Sequence, residues 1–125
     1  MKLWALSDLH VGHTENRRII EQLPAHPGDW LIFGGDLGET TEHLRFVFDT
    51  LAPRCGRLLW VPGNHELWTT PQQSQLRGEA KYQALVALCR EYRVLTPEGP
   101  YELFTEGATR YLIAPLFVLC DYTFC

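Results

Sequence analysis

Val61-Pro62-Gly63-Asn64-His65-Glu66 decides how this sequence is read. The residues before the turn, Leu58-Leu59-Trp60-Val61, form an apolar run that reads as a buried strand, and Pro62-Gly63 ends it. Three polar side chains then follow in a row, each able to bind a metal or carry a proton. Two earlier stretches have the same grammar. Leu3-Trp4-Ala5-Leu6 runs into Ser7-Asp8-Leu9-His10, and Trp30-Leu31-Ile32-Phe33 runs into Gly34-Gly35-Asp36. Three apolar strands that each end in a polar cluster bring those clusters to one edge of a parallel sheet. Ligands bind at that edge in open α/β sheets.

Outward from these strands, the intervening segments read as crossover helices. The expected strands are Lys2–Ser7, Trp30–Phe33 and Arg57–Val61, the first covered on both faces. A first helix is expected over Glu15–Leu23 with Thr14 as its cap and Ile19, Ile20 and Leu23 on one face. A second starts near Thr41 and carries Leu44, Val47, Phe48 and Leu51 at helical spacing until Pro53. The segments are long enough for right-handed crossovers, so the strands pair in parallel. A polar loop, Trp68 to Gln75, leads to a third helix from about Ser74 to Tyr92 with Leu85, Leu88, Cys89 and Tyr92 on one stripe. Val94-Leu95 reads as a short fourth strand, and Tyr101–Thr105 with Thr109–Ala114 as a hairpin around Glu106-Gly107. Trp4, Trp30 and Trp60 are expected in the core.

The chain of 125 residues accommodates one domain, and its net charge is −4. No basic cluster exceeds Arg17-Arg18, which argues against an extended nucleic-acid surface. Small phosphorylated substrates stay open, because a metal can supply the positive charge. The four cysteines, Cys55, Cys89, Cys120 and Cys125, form no CxxC pair and read as buried or incidental thiols of a reducing compartment. No apolar run approaches a membrane span, and Asp8 and His10 break the N-terminal run too early for a signal peptide. The expectation is a cytoplasmic protein without a membrane partner.

Asp8, His10, Asp36 and Asn64 are hard or borderline ligands suited to Mn, Fe, Zn or Ni. A carboxylate at the end of a central strand can bridge two cations, and two cations clamp the attacking and leaving oxygens of a phosphoryl displacement. His65 directly follows Asn64. It can stand beside metals without binding them, protonate a leaving alkoxide or hold phosphoryl oxygens.

In these three clusters the sequence resembles the calcineurin-like metallophosphoesterases, whose first signatures read Asp-x-His, Gly-Asp and Gly-Asn-His-(Asp/Glu). Here they stand as Asp8-Leu9-His10, Gly35-Asp36 and Gly63-Asn64-His65-Glu66. The resemblance implies the N-terminal half of an α/β sandwich and two divalent metal ions. It implies that Asp8 and His10 bind one metal and that Asp36 bridges both. Asn64 would bind the second metal and touch the phosphate, and His65 would be the catalytic and substrate-binding histidine. Two later signatures of that family, a lone His and a Gly-His-x-His, have no counterpart here, since none of the five histidines follows residue 65. Gly12-His13-Thr14 is similar to part of the last one but lacks its second histidine. It reads as a coincidence or as a loop near the site.

Leu37-Gly38-Glu39-Thr40 after Asp36 lacks the Asp-Arg-Gly of the protein phosphatases, leaving small phosphoesters, diesters and nucleotides. The expected function is therefore hydrolysis of a phosphomonoester, phosphodiester or nucleotide at a dinuclear centre. The alternative is a catalytically inert half-domain that binds metal, phosphate or a partner. The apolar run Leu112 to Cys120 reads as the cut edge of a longer fold. Residues 1–125 are expected to bind at most one metal tightly. Glu66 reads as a surface carboxylate, or as a group orienting His65; His26 and His43 read as residues without a functional role, His43 as solvated, and Trp68 as a candidate wall of the substrate pocket.

Overall fold

The computed structural model describes residues 1–68 and 76–118. Strands β1 (Leu3–Leu6), β2 (His26–Phe33) and β3 (Cys55–Trp60) form one sheet in the order β1-β2-β3, parallel throughout. Helix α1 (Thr14–Glu21) joins β1 to β2, and α2 (Thr41–Leu51) joins β2 to β3. A one-turn helix α3 (Asn64–Leu67) follows β3, then α4 (Gly78–Glu91) and the antiparallel hairpin of β4 (Glu102–Glu106) and β5 (Thr109–Ile113). The chain is thus α/β, with a parallel sheet, crossover helices and a terminal hairpin. In register, Leu6 stands opposite Phe33, and Phe33 opposite Trp60, so the three strands end flush.

The helix-facing side of the sheet carries the main core. Phe33 and Trp60 are fully buried, as are Leu44, Val47 and Phe48 of α2, with Leu51 close behind. Phe33 and Phe48 rings lie 5.9 Å apart. Each such side chain removed from water stabilises the fold by roughly 1.5–3 kcal/mol. On α4, Leu85, Val86, Leu88 and Cys89 complete the layer. The opposite side carries the hairpin, where Trp30 meets Phe104 at 5.4 Å and Arg57 pairs with Glu102. The expected fourth strand is reduced to one parallel bridge between Leu59 and Leu95.

Several expectations are corrected. Among the described residues β1 is an edge strand and largely exposed, so it is not covered on both faces. Trp4 is therefore 41% exposed, its indole N–H donating to Asp29, while Trp60 is core and Trp30 half-buried. α1 begins at Thr14 itself, with His13 at the cap position. Adjacent helical positions point about 100° apart, which is why Ile20 is buried and Ile19 exposed. α2 is capped by Thr40, whose hydroxyl accepts from the His43 N–H at 3.2 Å. β2 starts four residues earlier than expected, because His26 pairs with Cys55 before the register shifts around Pro27-Gly28. Cys89 is buried and Cys55 half-buried. The start of the third helix at Ser74, most of the loop before it, Cys120, Cys125 and the end of the Leu112–Cys120 run lie outside the described residues. Within that run Leu112, Leu116 and Val118 are exposed, whereas Phe117 packs on the core. Among the described residues no helix is long and apolar enough to cross a membrane.

Candidate metal centre

The flush strand ends release three loops side by side. The loop after β1 zips onto the loop after β2. Asp8 donates its N–H to Gly35 O at 2.9 Å, His10 to Asp36 O at 3.1 Å, and Val11 to Leu37 O at 2.9 Å. Asp8, His10 and Asp36 all take left-handed backbone, with φ of 57°, 43° and 56°. Such conformations are uncommon for residues with a Cβ, persist where the surroundings impose them and cluster at functional sites. Each of the three offers a ligand atom, and these atoms lie within 4.8 Å of one another. His10 Nε2 is 3.7 Å from Asp8 Oδ1. Two carboxylates and an imidazole on strained backbone, converging on one point, fit a divalent cation of the Mn, Fe, Zn or Ni kind.

The third loop closes on Asp36 through two glycines. A Cβ on Gly35, whose φ is 96°, would fall on the backbone of Gly63, and a Cβ on Gly63 would fall on the Asp36 carboxylate. That carboxylate accepts the His65 N–H at 3.0 Å, so it also caps the first turn of α3. Asn64 lies between these two contacts and is exposed.

Glu66 departs furthest from expectation, being fully buried instead of on the surface. One carboxylate oxygen accepts from Asp36 N at 2.5 Å and Gly63 N at 2.7 Å, and the other from the Trp60 indole at 2.5 Å. Burial pushes its pKa up to about 7 against the opposing pull of these donors. Glu66 thus pins the second loop to the third, while other groups flank His65. A glutamate three residues after a helix-capping position is the sequence signal that points to such a role.

His65 meets three side chains. The His10 ring stands edge-on at 4.9 Å, and the Trp68 ring lies 3.7 Å away. Glu39, from the loop after β2, places Oε1 3.5 Å from Nδ1. That nitrogen is buried and has no hydrogen-bond partner among the described residues, so the pair is at ion-pair range and beyond a good hydrogen bond. Glu39 carried no sequence signal, because its nearness to His65 arises only from folding. The Trp68 ring lies against the His65 ring.

His10, Gly12, His13, Gly38, Glu39 and His43 line a cleft of about 290 Å³ beside this cluster. His13 thus belongs to a loop near the site. His43 is half-buried instead of solvated; its Nδ1 accepts from Glu39 N at 3.0 Å. Burial, and then the charge of Arg17, lower its pKa. His26 sits at the far end of β2 with Asp29 and Trp4, as a residue outside the site.

Comparison with known proteins gives three matches. The calcineurin-like phosphoesterase family matches over residues 1–117. The acyl-carrier-protein phosphodiesterase PptH of Mycobacterium tuberculosis is 48% identical over 124 residues, a match covering 98% of this chain and 38% of that protein. The crystal structure of phosphopantetheinyl hydrolase (PptH) from M. tuberculosis is similar at a TM-score of 0.91 and 47% identity, over 98% of this chain and 44% of that one. This chain spans less than half the length of these relatives.

Proposed function

The chain belongs to the calcineurin-like phosphoesterase family, and from that premise we propose that it carries the metal-binding part of a phosphodiesterase acting on phosphopantetheinylated acyl carrier protein. The observation that carries the reading is the convergence of Asp8, His10 and Asp36 within 4.8 Å, with His65 alongside. The substrate is adopted from a relative whose name is that of an acyl-carrier-protein phosphodiesterase. It enlarges the small phosphorylated substrate expected from sequence: the reacting phosphodiester is small, but its carrier is a protein.

In this reading Asp8 and His10 would hold one divalent ion, Asp36 would serve both that ion and a second, and Asn64 would bind the second and the phosphate. Asp36 and Asn64 alone are too few for a firm second site. Such ions would supply Lewis acidity toward the phosphoryl oxygens and a bound water of lowered pKa. The work of the chain's own residues is positioning and proton transfer. Gly35 and Gly63 let the Asp36 carboxylate approach the third loop, and Glu66 fixes the spacing between the two loops. His65 presents its imidazole to the substrate, binds a phosphoryl oxygen and delivers a proton to the departing alkoxide. Glu39, whose carboxylate lies 3.5 Å from Nδ1, flanks the ring on that side and leaves Nε2 for the substrate.

The test is elemental analysis of purified protein combined with hydrolysis of phosphopantetheinylated acyl carrier protein and of a chromogenic phosphodiester. Bound metal with release of phosphopantetheine supports the reading. Metal without hydrolysis of either diester, in a protein of the relatives' full length, would replace it with the inert binding module.

A further inference from the structure

Lys81 on α4 is only 3% exposed. Lysine is almost never that buried without a charged partner, yet among the described residues both of its hydrogen-bond acceptors are main-chain carbonyls. Its ammonium group donates to Glu39 O at 3.1 Å and to Trp68 O. Burial lowers its pKa, and the charges of Glu39 and Glu66 counter that. Position 81 adjoins the core stripe of α4, beside Tyr82 and one turn before Leu85. An apolar residue would fill that place with no desolvation penalty, but both carbonyls would then lose a donor.

Those two carbonyls belong to the two residues that bracket His65. Glu39 approaches Nδ1 with its carboxylate, and Trp68 covers the imidazole face. They come from different loops, 29 positions apart in sequence, one after β2 and one after α3. We propose that Lys81 is a positioning residue for His65: its ammonium group ties the Glu39 and Trp68 backbones together and so fixes both walls of the imidazole site. The proposal rests on the role given to His65 above, and it acts without touching substrate.

The test uses Lys81→Met, which keeps the length of the side chain and removes its donors. Histidine ring resonances are recorded on metal-free protein with labelled imidazole carbons. His65 is assigned by the loss of its signal in His65→Gln, and its unstacked position is taken from Trp68→Ala. Lys81→Met is expected to move the His65 signal toward that unstacked position and to leave the distant His26 signal in place. In turnover, kcat should fall by about 10–100-fold, the range for misplacement of a catalytic group, with KM within about twofold. In a His65→Gln background the same substitution should lower kcat no further. An unmoved His65 resonance overturns the proposal, and so does a rate loss of equal size in the His65→Gln background. The resonance needs neither substrate nor metal, so its failure is separable from failure of the phosphodiesterase reading. If Lys81→Met does not fold, Lys81→Gln, whose amide nitrogen stops one bond short of the ammonium position and so meets the two carbonyls less well, is judged by the same two criteria.

Discussion

The side chain of Glu66 accepts the backbone N–H of Asp36 at 2.5 Å, across 30 positions of sequence. The side chain of Asp36 in turn accepts the backbone N–H of His65 at 3.0 Å. Each loop thus anchors the other by a carboxylate on a main-chain donor, and the exchange fixes the Asp36 carboxylate in place without using up its ligand capacity.

Glu66 makes stability depend on pH. Its folded pKa of about 7 lies above its ordinary 4.5, so folding favours the protonated form. The stability it contributes is present in full below about 4.5 and is lost as pH rises through about 7, on the order of 3 kcal/mol. Glu66→Gln should be destabilised at pH 5 by about 1–3 kcal/mol, because one amide oxygen cannot serve three donors. Its deficit against the parent should shrink between pH 5 and 8 in urea titrations of metal-free protein. A constant deficit would assign the pH slope to another group.

Asp36→Ala should abolish metal retention while leaving the fold intact, since the carboxylate serves both proposed ions and its loss leaves neither a sufficient shell. Far-UV circular dichroism and metal content measured together check this. Stoichiometric metal in that variant would end the bridging assignment.

His65→Gln should keep its metal and lose turnover by about 10²–10⁴-fold, the range for removing a general acid. Loss of metal in place of rate would make His65 a ligand.

Gly63→Ala tests the close approach of the loops. The added methyl would collide with the Asp36 carboxylate, so metal affinity should fall at least tenfold. Gly28, which has open space around it, provides the control: Gly28→Ala should leave affinity unchanged. Equal affinity in both variants would show that the third loop can withdraw without consequence.

The strand ends were legible because three apolar runs each stop at a turn, and the α2 stripe because Leu44, Val47, Phe48 and Leu51 share one helical face. The partners of the site were not. Glu39, Lys81 and the buried state of Glu66 depend on which loop lies against which, and periodicity carries no such information. His43 misled for the same reason, since a first-turn position reads as solvated until the neighbouring loop folds over it. The exposure of β1 was missed because an edge strand and a central one show the same apolar run.

The flush register of Leu6, Phe33 and Trp60 also decides where this chain tolerates added length. A one-residue insertion within β2 between Trp30 and Phe33 would push Asp36 along the strand by roughly 3.3 Å and turn each following side chain to the opposite face. The same insertion at the exposed Pro24-Ala25, at the other end of the sheet, leaves the pairing of Trp30 to Phe33 untouched and adds only to a surface turn. The sheet is therefore a ruler read from one end: extra residues are absorbed below the strands and transmitted in full above them.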